Sequence, residues 1–560
     1  MNTLIPLFGA FLCLFVGYRF YSNYLVKKVF CLDDEQKTPA HTQRDGIDYE
    51  PARTSVLFSH HFASIAGLSP IVGPAIAVVY GWLPAILWLL VGAILMGAVH
   101  DMSALVISMR NQGRSIGDVC EQLIGKRARI LFLLMIYIAL ALAMGAFTAI
   151  VANLLQMPSA ELSFSPYPEA SLPAVGLIFL AMVFGILMRK KLIGLKTVSV
   201  LGLGLSLFLI YLGAHFSIQL NLAYWEYTLL GYAFIASILP VWLLLQPRDF
   251  INTLSLYLGL FVLFFSIVLS APSFTAPAIN TNADLSLIFP LLFVTIACGA
   301  VSGFHNVVSS GTTAKQISCE SDARPVGYGA MLLECLLGIA AVIACTAGLQ
   351  SSEMWYAHYG SESGGTLYGS IAFFVQGSAN LMASLGVPEA IGSTFVALLI
   401  VSFALTTLDS GTRILRYNVE ELAKTFALPV LANRYISSAL AVGTIAFFAL
   451  SEFGKTVWIL FGTVNQLLAA LGLLAATVYL VRLQRNFWVT AIPMVFMMII
   501  TITAMTQNLQ SYYEQGSMQL LIVGGFISFL VVGLILESLL FFFRWRTNQT
   551  KPTPAPANIS

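Results

Sequence analysis

Two adjacent histidines, His60 and His61, sit inside an apolar run, LFSHHFASIAGLSPIVGP at 57–74. Other ionisable groups share that setting. His100 and Asp101 lie within 83–109, His305 within 286–309 and Glu334 within 326–348. Asp409 closes 391–410 with Arg413 one turn beyond it, and Arg248 and Asp249 follow 228–246. A charge inside an apolar span is costly and marks ion or substrate handling. Imidazole changes charge near neutral pH, and a carboxylate shielded from water can be raised toward that range. The chemistry expected is therefore capture and release of a cation. His60 and His61 are read either as coupling groups or as headgroup-region residues. Asp101 is read either as a proton carrier or as a lock to a nearby arginine. The pairs Arg248/Asp249 and Asp409/Arg413 are read as inner-gate or topology charges rather than substrate ligands. Thr295, Cys298, Ser302, His305 and Ser309 recur at steps of three or four, which predicts one polar helical face lining a cavity.

Bond-making chemistry has no support. The histidines and acids are scattered, with no HExxH, no CxxC and no Cys/His cluster. No catalytic residue, metal site or cofactor is expected, and the chain is not read as an enzyme. Seven cysteines, an odd number, lie in apolar runs or short loops, so free thiols are expected.

Composition says what must position these groups. The 560 residues are 58% hydrophobic and 10% charged, with mean hydropathy +0.85. Soluble domains carry roughly 25% charged residues. The net charge of +2 implies no nucleic-acid partner. A spanning helix needs about 20 apolar residues. Fifteen spans are predicted: 3–24, 57–80, 83–109, 130–155, 172–188, 197–216, 228–246, 252–271, 286–309, 326–348, 391–410, 435–451, 456–480, 487–506 and 518–543. The first is read as a retained span rather than a cleaved signal.

Lys and Arg collect on the cytoplasmic side. With fifteen spans and the N-terminus outside, Arg110, Arg129, Lys190, Arg416, Arg482 and Arg485 fall inside, and the outer loops hold only Lys455. Making 366–384 a further span would reverse every later loop. That segment, with Gln376, Ser378 and Asn380, is read as re-entrant or lying on the outer surface. The C-terminus is placed in the cytoplasm.

Two spans look interrupted. Gly67, Ser69, Pro70, Gly73 and Pro74 sit in 57–80, and Ser237 and Pro240 in 228–246. Proline removes a helix hydrogen bond, and open backbone at membrane depth marks binding sites in transporters. Each break opens a set of five spans, the two sets running in opposite senses. The predicted organisation is an all-α polytopic membrane protein with a five-plus-five inverted-repeat core. Residues 1–54 form an N-terminal helix and loop, 55–216 the first repeat, 217–417 the second, 418–546 accessory helices and 547–560 a disordered tail.

The chain resembles the carbon starvation protein A family, similar in fold to the amino acid–polyamine–organocation transporters. The residues that carry the resemblance are 57–74 as quoted, GRSIGDV at 113–119, LPVWLLLQPRDF at 239–250, IACGAVSGFHNVVSSGTT at 296–313, DSGTRILR at 409–416 and WILFGTVNQLLA at 458–469. The resemblance implies uptake of a small nutrient, peptide or pyruvate, across the bacterial inner membrane during carbon starvation, with cation symport. It implies substrate contacts from Gly67, Ser69, Pro70, Gly73, Ser237, Pro240, Ser302 and His305. Ion coupling would fall to His61, Asp101, His305, Ser309, Ser310, Thr312 and Thr313, with a proton or a sodium ion as the coupled cation. The expected partners are a small-molecule substrate and membrane lipid.

Overall fold

The computed structural model describes residues 1–549 except 47, 160, 161, 163, 286, 287, 361–365 and 451–456. The tail expected to be disordered lies almost wholly outside the described residues. Among the described residues, eleven helices are long and apolar enough to cross a membrane, and a bent pair raises this to twelve. In chain order the helices are α1 (Leu4–Phe30), α2 (Thr54–Ile65), α3 (Ser69–Tyr80), α4 (Trp82–Arg110), α5 (Lys126–Leu155), α6 (Pro168–Arg189), α7 (Leu195–Gly213), α8 (Leu222–Ile238) and α9 (Leu245–Ser270). They continue as α10 (Gly303–Gly311), α11 (Glu320–Ala347), α12 (Leu367–Ala383), α13 (Glu389–Thr425), α14 (Arg434–Leu450), α15 (Val457–Arg482), α16 (Trp488–Glu514) and α17 (Met518–Gln549).

The first predicted break is present. Helices α2 and α3 meet at 46° across Ala66–Leu68. Pro70 lies in the first turn of α3, where its missing N–H costs nothing. The second is not where the prolines suggested. Leu239 is extended, as the residue before proline prefers. Pro240 therefore ends α8, and 239–244 is a turn into α9. The real second interruption lies between Thr295 and Gly303. Consequently the predicted polar face from Thr295 to Ser309 is not one helical face.

That unwound segment, IACGAVS, joins residues of weak helix preference, Gly299, Val301 and Ser302, to two alanines, so tertiary partners must hold it open. Its backbone finds partners in side chains. Trp88 Nε1 donates to the Ile296 carbonyl at 3.1 Å, Gln466 Nε2 to the Phe293 carbonyl at 2.5 Å, and the Phe304 N–H to Asn465 Oδ1 at 2.9 Å. Open backbone at this depth needs such partners. The two interruptions touch, because a Cβ on Gly73 would stand 2.4 Å from the Thr295 carbonyl oxygen. Backbone cannot retreat as a side-chain tip can. Gly73→Ala is expected to destabilise by about 1–3 kcal/mol, read as a lower Tm in detergent. Gly9→Ala, with nothing within 4 Å of its Cβ position, should not lower Tm.

Several helices outrun their predicted spans, three of them with consequences for the charges. Helix α13 has 37 residues and carries Arg413 and Arg416 within it. Helix α9 begins at Leu245, so Arg248 and Asp249 are helical rather than in a loop. Helix α1 continues to Phe30. The segment predicted not to span forms α12, whose Tyr368 stacks on Phe164 with ring centroids 4.7 Å apart. Near its other end, Asn380 Nδ2 donates to the Gly348 carbonyl at 3.0 Å.

Candidate functional site

Two polar clusters are sealed inside the helices. The first joins α2, α8, α9 and α13. His60 Nδ1 lies 2.9 Å from Asp249 Oδ2. Arg248 reaches Asp409 Oδ2 at 2.5 Å and stands 3.7 Å from Asp249 Oδ1. The Tyr232 hydroxyl donates to Asp409 at 2.7 Å, and Arg248 also donates to that hydroxyl. His60, Arg248, Asp249 and Asp409 are at most 3% exposed. The expected Asp409–Arg413 partnership is absent. Arg413 instead donates to the carbonyls of Ala236 and Leu239 at 2.8 and 2.5 Å. It caps α8, because a helix end leaves carbonyls without partners.

The second cluster joins α4, the unwound segment, α10 and α11. Asp101 Oδ1 lies 2.8 Å from His100 Nδ1, and its Oδ2 lies 2.8 Å from His305 Nδ1. Glu334 Oε2 is 3.2 Å from His305 Nε2. Asp101 thus pairs with two histidines, not with an arginine. Ser302 Oγ lies 3.1 Å from Asn465 Nδ2 and 3.4 Å from Cys298 Sγ. Cys298, His305 and Glu334 form a close group that their sequence spacing conceals.

Other predicted residues disperse. His61 Nδ1 is 2.9 Å from Thr313 Oγ1. The Ser310 hydroxyl donates to the Asn306 carbonyl and accepts from the Ile116 N–H. Thr312 donates to the Val308 carbonyl, and Ser309 is buried. Gly67, Ser69, Pro70 and Gly73 line the first interruption, where a Cβ on Gly67 would lie 2.5 Å from Thr407 Oγ1. Ser237 is not with them, since its hydroxyl donates to Ser438 at 3.0 Å. Pro240 sits in the turn after α8.

A cavity of about 150 Å³ opens beside α10 and α13, lined by Tyr49, Arg114, Ser115, Ser310, Lys315, Tyr417 and Glu421. The Lys315 ammonium lies 5.6 Å and 5.2 Å from the ring centres of Tyr49 and Tyr417. Glu421 accepts a hydrogen bond from the Ser115 hydroxyl at 3.0 Å. Lys315, Glu421, Tyr232, Asn465, Gln466 and Trp88 escaped the sequence reading. Asn465 lies in a run that carried the family resemblance, which was the available signal.

The family model for carbon starvation protein CstA matches residues 2–357 and 345–504. The chain belongs to the carbon starvation protein CstA family. The peptide transporter CstA of Campylobacter jejuni is 34% identical, over 91% of this chain and 81% of that protein. The pyruvate/proton symporter BtsT of Escherichia coli is 33% identical over 89% and 81%. The peptide transporter CstA of Bacillus subtilis is 32% identical over 89% of each. Crystal structures of mutants of the Eremococcus coleocola manganese transporter align over 88–90% of the chain with TM-scores of 0.42–0.44 and 13% identity, too loosely to place residues. This CstA-family chain is a multi-pass membrane transporter, and the expectation of a carrier rather than an enzyme agrees with its relatives.

Proposed function

We propose that the chain imports a small carboxylate-bearing nutrient, a peptide or a pyruvate-like acid, across the bacterial inner membrane by proton symport. Its relatives include peptide transporters and a pyruvate/proton symporter. The observation that carries the coupling is the charge count around Arg248. Two carboxylates, Asp249 and Asp409, share one guanidinium in a buried setting. An unbalanced buried charge is strongly unfavourable. A protonated His60 balances the group and binds Asp249. It thereby holds α2, the inner half of the first interrupted helix, against α9. Loss of that proton leaves a surplus negative charge and frees α2 to move. This reading assigns coupling to His60 rather than to His61, whose Nδ1 faces the Thr313 hydroxyl. Sodium is the second reading: the Ser309 hydroxyl has no hydrogen-bond partner among the described residues, while Ser310 and Thr312 donate to backbone carbonyls.

Counting each interrupted helix once, adding α8 and α14 and leaving out α12 gives fifteen crossings, with the N-terminus outside. The inverted repeats then run over 54–213 and 288–482, with α8 and α9 between them, instead of dividing at 217. In this register the third helices of the two repeats, α5 and α13, pack on each other.

The cavity beside α10 offers a lysine on one wall and a glutamate on another, which suits the ends of a zwitterion. Lys315 receives the carboxylate. Losing one charged hydrogen bond costs about 1.5–3 kcal/mol. Lys315→Ala should therefore raise KM by roughly tenfold or more, with the folded protein intact. The measurement is uptake of labelled pyruvate and dipeptides into proteoliposomes. Uptake indifferent to an imposed pH gradient would remove the symport reading, and an unchanged KM would remove Lys315 from the substrate path.

A further inference from the structure

We propose that Cys298, His305 and Glu334 bind one resident divalent transition-metal ion, zinc by the chemistry of the donor set. The thiol sulfur, the imidazole nitrogen and a carboxylate oxygen all lie within 4.8 Å of one another. The three residues are 0–4% exposed.

Three features point to a ligand rather than to a packed polar cluster. First, His305 Nε2 and both Glu334 oxygens make no hydrogen bond among the described residues. Nε2 and Oε2 are only 3.2 Å apart, yet they are not aligned as donor and acceptor. Two groups that close without facing each other converge on a third point. Tetrahedral zinc with bonds of about 2.1 Å to N and O would separate those atoms by roughly 3.4 Å. Second, Asp101 occupies His305 Nδ1 at 2.8 Å. That contact orients the ring and leaves the Nε2 lone pair for a metal, as carboxylate–histidine–metal arrangements do. Third, Asn465 Nδ2 donates to Cys298 Sγ at 3.3 Å, which supports a thiolate.

The charges also close. A dication offsets the Cys298 thiolate and the Glu334 carboxylate with a neutral His305, and leaves the Asp101 carboxylate to be balanced by His100, 2.8 Å from its other oxygen. Metal binding expels the thiol proton. Thiolate with imidazole favours zinc over magnesium, calcium or manganese, which take oxygen ligands. The ion ties the unwound segment and α10 to α11, fixing a stretch of chain that lacks a helix of its own. The site shares no residue with the His60 cluster, so it stands or falls independently of the symport reading.

The full-length protein, purified in detergent, is stripped with chelator, incubated with zinc alone, desalted and assayed for metal. Wild type and Cys345→Ser, altered at a buried thiol elsewhere, should retain about one zinc per chain. Cys298→Ser and Glu334→Gln should bind at least about tenfold more weakly. Cobalt in place of zinc should give wild type a thiolate-to-metal charge-transfer band that Cys298→Ser lacks. No retained zinc and no cobalt band in wild type would overturn the proposal, even if the variants fail to fold. A cobalt band that persists in monodisperse Cys298→Ser would overturn it as well.

Discussion

His60→Gln abolishes accumulation driven by a proton gradient and leaves exchange of substrate across the membrane running. A pH difference of one unit is worth about 1.4 kcal/mol per proton, so symport of one proton per solute supports roughly tenfold accumulation. The variant should equilibrate its substrate without concentrating it. Glutamine keeps a hydrogen-bonding group beside Asp249 Oδ2 but cannot take up the proton that balances Asp249 and Asp409 against Arg248. The assay is proteoliposome uptake with the interior alkaline, paired with counterflow at equal pH. Retained concentrative uptake in His60→Gln would transfer coupling elsewhere. Loss of counterflow as well would mark His60 as structural.

Arg248→Ala should be strongly destabilising. Removing the guanidinium leaves Asp409 with only the Tyr232 hydroxyl, and Asp249 with His60 alone, in a setting at most 3% exposed. Breaking a buried pair from one side costs about 3–5 kcal/mol. The expected result is a large fall in Tm in detergent, or loss of folded protein. Adding Asp409→Asn removes the charge left uncompensated and should recover part of the loss. A pure packing defect would show no such recovery. Arg44→Ala, which breaks an ion pair whose arginine is 61% exposed, should leave Tm unchanged, because solvent screens surface pairs.

Legibility in the sequence followed physical range. Membrane embedding was plain, because hydropathy is a local property of each segment. The first interruption was plain too, since Gly67 weakens a helix by its own backbone freedom and Pro70 suits the first turn of a new one. The second misled for the same reason. Pro240 has the local signature of a break but ends a helix at a turn, and Arg413 caps that end from α13. The true break at 296–302 has no proline. It is held open by Trp88, Asn465 and Gln466, which are distant in sequence. Arg413 and Asp409 are one helical turn apart, which invited pairing them. Asp409 chose Arg248 because α9 crosses α13 at that depth.

The histidines and acids within apolar spans were therefore visible as costly and functional, and so was the character of a carrier. Which of them meet was decided only in three dimensions. His60 with Asp249 and Cys298 with His305 and Glu334 are assembled from separate helices. Their geometry depends on crossings that glycines such as Gly73 permit, and no pattern along one helix records it. The sequence by itself determined that charge would be buried in this membrane protein. The tertiary structure determined its partners, because a charge in a low-dielectric interior must be neutralised by whatever the packing brings within reach.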